Sequence, residues 1–162
     1  MKKLLTQLAS YNVWANHKIC FQLQQMDEKL WYADTASSFS SLYKTILHMW
    51  DAESVWWQRM RLHESIVVPS QSFEPSFKDA CNGLIHQSMQ WEPFISDVMD
   101  EAALNSKLIY KNAKGQEFFQ PVSEVLMHVF NHGTYHRGQL VTMMRLLGET
   151  NIPATDFIAF TR

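Results

Sequence analysis

A chain of 162 residues with 14 Lys and Arg against 16 Asp and Glu, net charge −2, has no basic stripe to neutralise a run of phosphates, which argues against nucleic acid and anionic membrane as partners. That length suits one domain over residues 1–162, able to bury roughly two-thirds of its unfolded surface, so neither a disulfide nor a metal is needed merely to fold. The composition, 46% hydrophobic with 13% aromatic and 19% charged residues, is globular rather than disordered or fibrous.

The opening MKKLLTQLASYNVWANHK has a basic flank like that of a signal peptide, but Thr6, Gln7 and Asn12 interrupt the apolar stretch. No run approaches the roughly 20 apolar residues of a membrane span, and a cytoplasmic location is expected. From about Leu4 to Met26 the residues Leu4, Leu5, Leu8, Tyr11, Ala15, Ile19 and Leu23 recur at steps of three and four, which predicts an amphipathic helix. Cys20 and Cys81 lie far apart and outside any CxxC spacing, so they read as small buried hydrophobes in a reducing compartment.

After SSFSS, where Ser40 or a neighbour can cap, a second helix is predicted from about Leu42 to Leu62, apolar around most of its circumference and therefore buried on more than one side. The loop 63-HESIVVPSQSFEPS-76 holds Pro69 and Pro75, and a third helix follows from Phe77 to Met99, with a kink or early end at Pro93. The run 107-KLIYKNAKGQEFF-119 alternates around Asn112 and Gly115 and predicts a small hairpin. Pro121 suits the first turn of a fourth helix over about Val122 to Leu147, Glu124 its N-terminal dipole and Gly148 its end. Four helices with modest connections predict an all-α four-helix bundle.

On a wheel of the fourth helix, Val122, Val125, Val129, Leu140, Met143 and Leu147 share the inward face, and His136 falls at its centre. His132 lies about 40° round, still inward, and His128 about 40° further, on the flank. Imidazoles at i and i+4 can converge on one ion, but the spacing alone equally allows core histidines bonded to Asn131 and Gln139. A third ligand is available at His48, although the wheel of the second helix does not decide its direction. Asp51 is a candidate fourth ligand, a partner orienting an imidazole, or a capping carboxylate. His17, His63 and His86 read as surface residues, and Trp50, Trp56 and Trp57 as bundle core. Gly133 follows His132 where a HExxH metalloprotease would place its glutamate, so that chemistry is disfavoured.

The run 128-HVFNHGTYHRGQL-140, with 11-YNVWAN-16, 48-HMWDAESVWW-57 and 156-DFIAFTR-162, resembles the DinB family of damage-inducible proteins, related to the YfiT-like metal-dependent enzymes. The resemblance covers essentially the whole chain. It implies a four-helix bundle with one divalent ion, zinc or nickel foremost, held by His48, His132 and His136, while His128 supports the site or the fold. It also implies a homodimer, consistent with a second helix apolar nearly all round. Three neutral ligands leave coordination positions open, as a catalytic ion requires. Relatives in the superfamily that act on small molecules through low-molecular-weight thiols imply a metal-dependent thiol S-transferase or related detoxifying enzyme. The alternatives are a metal-dependent hydrolase and a non-catalytic stress-response metal-binding bundle.

Overall fold

In the computed structural model, which describes residues 1–112 and 114–162, the periodic segments form four long helices, Lys2–Gln25, Leu42–Met60, Phe77–Met89 and Val122–Leu146. Each boundary has a local cause. The cap of the second helix is Ser41, whose Oγ accepts from the Lys44 amide at 3.2 Å. A reciprocal box of Ser76 and Asp79 opens the third helix. Gly148, at φ +89°, closes the fourth: its N–H donates to the Arg145 carbonyl at 3.0 Å and that of Glu149 to Met144 at 2.9 Å, a Schellman ending that only a left-handed residue permits.

Two expectations are adjusted. The third helix ends at Met89 rather than continuing to Met99; the chain goes on as a turn at Trp91–Pro93 and a wide π turn at Phe94–Val98. Pro93 has no N–H to give to Met89, so the α-helical ladder breaks there. Pro121 does not enter the fourth helix but ends the second strand of the hairpin and flanks Val122, the helix's first residue. The strands Lys107–Lys111 and Glu117–Pro121 are antiparallel, pairing Lys107 with Pro121 and Ile109 with Phe119. At the turn, the Asn112 side chain accepts from the amides of Lys114 and Gln116, and Gly115 takes φ +76°. Ala113, within this predicted hairpin, lies outside the described residues. No described helix is long and apolar enough to cross a membrane.

The core has two apolar halves. One gathers Ile19, Leu23, Leu42, Ile46, Leu84 and Leu140; the other Leu5, Trp91, Ile95, Leu126, Val129 and Phe130. Cys20 and Cys81 are buried free thiols of the first half, and the contact with Cys81, followed by burial, pushes the Cys20 thiol's pKa up. Gly83 lets the third helix close on the second, since a Cβ there would stand 2.5 Å from the Trp50 ring.

Where the chain passes from one half to the other, each long helix contributes a buried polar residue: Asn12 and Asn16, Glu53, Ser88, and Arg137. The Nη1 of Arg137 donates to Oδ1 of both Asn12 and Asn16 at 2.8 Å, and the amide nitrogens of these asparagines donate to Oε1 of Glu53 at 2.8 and 3.2 Å. Trp91 Nε1 donates to the other carboxylate oxygen at 3.1 Å, and Ser88 Oγ lies 2.9 Å from it. The arrangement is an ion pair relayed through two amides. Burial pushes the Glu53 pKa up, while hydrogen bonds from Asn12, Ser88 and Trp91 and the charge of Arg137 pull it down. Because Glu53 shares a helix with His48 and Arg137 adjoins His136, the same network holds the second and fourth helices in register.

Candidate metal centre

The helical step that places His132 and His136 on one face of the fourth helix brings both to His48 of the second. Nε2 of His132 lies 3.1 Å from Nε2 of His48 and 3.0 Å from Nε2 of His136. One ligand atom from each of the three lies within 4.8 Å of the others, and among the described residues no Asp, Glu or Cys joins the cluster. His136 is 4% exposed, and the other two rings are half-buried.

A hydrogen-bond chain among these nitrogens is a poor account of the convergence. His136 Nδ1 faces Gln139 Oε1 at 2.7 Å, and the Gln139 amide nitrogen donates to Ser38 Oγ at 2.9 Å and to the Tyr135 hydroxyl oxygen at 3.0 Å. The Gln139 oxygen can only accept, so Nδ1 of His136 carries the proton and Nε2 presents a lone pair in the neutral ring. A neutral His132 has at most one proton on Nε2 to serve two facing nitrogens. A divalent ion resolves the geometry: nitrogen ligands at about 2.0–2.1 Å in tetrahedral array stand about 3.3 Å apart, close to the observed separations. The three histidines can therefore hold a metal ion.

The environment keeps the donors neutral. Burial, then the His136, His48 and His128 rings, push the His132 pKa down to about 3. Burial and His136 lower that of His48 against a small opposing pull from Asp51, and burial lowers that of His136 against its bond to Gln139. Phe39 stacks on His48 with centroids 4.2 Å apart and lies 5.7 Å from His136, so the loop before the second helix covers one side of the cluster.

The other candidate residues are distributed around it. Gln139 supports His136 from behind, as just described. The Asp51 carboxylate accepts from the Ser70 amide at 2.8 Å, capping the turn Pro69–Ser72 from outside. His128 is exposed and meets Trp56 edge-on at 5.5 Å, with its ring 5.9 Å from that of His132. Asn131 is exposed, as are His17, His63 and His86. Trp50, Trp56 and Trp57 are partly buried and pack against the core halves. Phe39 and Ser38 carry no signal in the sequence, since they reach the cluster from a loop without periodicity. The buried Glu53 network did leave a trace: Asn12 and Asn16 sit in the apolar stripe of the first helix, where polar side chains need partners.

The chain matches known proteins along its length. A family model described as the DinB family matches residues 1–162. The chain is also similar to Protein DinB of Bacillus subtilis (strain 168), 27% identical over 161 residues, covering 97% of this chain and 93% of that protein. A bundle with a hairpin before its last helix, three histidines converging between its second and fourth helices, and a family match over every residue lead to one statement of identity: the chain belongs to the DinB family.

Proposed function

We propose that His48, His132 and His136 hold one divalent ion, zinc or nickel, and that the protein is a metal-dependent thiol S-transferase. The observation that carries the reading is the convergence of three Nε2 atoms, with the tautomer of His136 set by Gln139. When bound, the ion would supply Lewis acidity at its open positions, lowering the pKa of a thiol there and raising the fraction of the nucleophilic form at neutral pH. Three imidazoles without a carboxylate leave the ion's double charge uncompensated, which favours an anionic partner such as a thiolate. Gln139 orients His136, Phe39 shields His48 from water, and the Glu53–Arg137 relay holds the helices that bear all three rings.

Protein purified without chelator is expected to carry close to one divalent ion per chain, and His132→Ala to lose it. With an activated aryl halide and a small thiol, the metal-loaded protein should consume both together, and the variant neither. Unchanged metal content in His132→Ala would overturn the ligand assignment. Metal-dependent ester hydrolysis without a thiol requirement would replace the transferase reading by a hydrolase one.

A further inference from the structure

Contact between the second and fourth helices does not stop at the histidines. His48 meets His132 and His136, and two turns further along the second helix Trp56 meets His128, so the helices run antiparallel. On the fourth helix Glu124, His128, His132 and His136 follow at four-residue steps, each turned about 40° from the last. On the second, Ala52 stands between His48 and Trp56 at the same steps.

Beside His128, whose ring lies 5.9 Å from that of His132, is a cleft of about 260 Å³ lined by Trp56, Tyr110, Gln120, Glu124, Val125 and His128. Its walls are the indole and phenol rings, 4.9 Å apart and edge to face, and Val125 contributes a buried apolar surface. Gln120 is engaged with the Tyr110 hydroxyl. Glu124 makes neither of the two ion pairs found among the described residues, and its carboxylate is the one acidic group lining the cleft. The neighbouring cation, Arg59, does not line it: its guanidinium lies 4.7 Å from the Trp56 ring and donates to the Lys111 carbonyl. Those rings thus already accept a cation at one position, and the cleft offers aromatic walls together with an unpaired negative charge.

We propose that this cleft is a recognition subsite of the histidine centre and binds an ammonium group carried on an aromatic or apolar arm, with Glu124 pairing the charge and Trp56 and Tyr110 packing the arm. Glu124 is eight residues from His132, about 12 Å along the helix, a span within the length of one extended small molecule. The inference rests on the metal-centre reading only for which end of that molecule reacts; occupation of the cleft needs no metal.

The test titrates phenethylamine, phenethyl alcohol and phenylacetate into the full chain, before and after chelation, by calorimetry. The amine should bind roughly fivefold tighter than the alcohol, the size expected of an exposed ion pair, and phenylacetate weakest. Glu124→Gln should reduce the amine to the affinity of the alcohol while leaving alcohol binding unchanged, which also shows that the variant is folded. Chelation should leave all three affinities as they were, so failure of the metal reading and failure of this one are distinguishable. Equal affinity of wild type for amine and alcohol, or an unchanged amine affinity in Glu124→Gln, would overturn the proposal.

Discussion

Gly133 and Gly138 lie in one helix and differ only in what surrounds them. A Cβ at Gly133 would stand 2.9 Å from Asn12 Oδ1 and 3.0 Å from Nη1 of Arg137, two atoms already bonded to each other, whereas a Cβ at Gly138 meets nothing within 4 Å. Alanine in an exposed helix interior is favoured over glycine by roughly 0.8–1 kcal/mol. Gly138→Ala is therefore expected to raise the melting temperature. Gly133→Ala should lower it, because the methyl forces apart a buried hydrogen bond and leaves Nη1 of Arg137 only its bond to Asn16. Circular-dichroism melting of both variants checks the pair; a rise in both would mean that the Arg137–Asn12 contact yields without cost. The glycine after His132, which the sequence shows only as a missing general base, has a steric reason in the fold.

Between elements, the Glu53–Asn12/Asn16–Arg137 relay ties three helices together where the two apolar halves of the core meet. Glu53→Gln keeps the shape but removes the charge that balances Arg137 and sets an amide N–H against an N–H donor, of the asparagines or of the Trp91 indole. Breaking one side of a buried pair typically costs on the order of 3 kcal/mol, because the remaining charge stays in a poor dielectric. We expect a loss of that order in chemical denaturation, with about half or more recovered in Glu53→Met combined with Arg137→Met, where no charge is left buried. A double variant as unstable as the sum of its parts would show the two residues to act independently. Because Glu53 and Arg137 share helices with His48 and His136, Glu53→Gln should also weaken metal binding at temperatures where it is still folded.

For the whole molecule, the histidine cluster links folding to pH. The His132 pKa falls from an ordinary value of about 6.5 in the unfolded chain to about 3 in the fold, so between these limits the unfolded state binds more protons. The stability of metal-free protein contributed by a neutral His132 is present above about pH 6.5 and lost as pH drops toward 3. His132→Ala should accordingly melt with a shallower acid dependence than wild type when both are chelated, and coincident slopes would contradict the shift. Proton competition for the metal moves the same way: affinity should persist to lower pH than exposed imidazoles would allow. Two apolar core halves do not require an ion, so chelation should leave a helical, cooperatively melting protein.

The four helices were determined by the sequence itself, because burial against neighbouring helices imposes a step of three and four residues wherever it occurs, and caps and glycines mark the ends chemically. The same step put His132 and His136 on one face and left His128 at its flank. It could not orient His48, since a helix apolar on nearly every side has no single inward direction. Nor could it show that Gln139, rather than Asn131, turns toward His136. Those outcomes depend on how two helices cross, and that crossing is decided by contacts among residues distant in sequence: the packing of Trp50 on Gly83, the loop that lays Phe39 on His48, and a charge pair joined through Asn12 and Asn16. Local periodicity carries no information about such partners, so only the tertiary structure brings three separate imidazoles to one point.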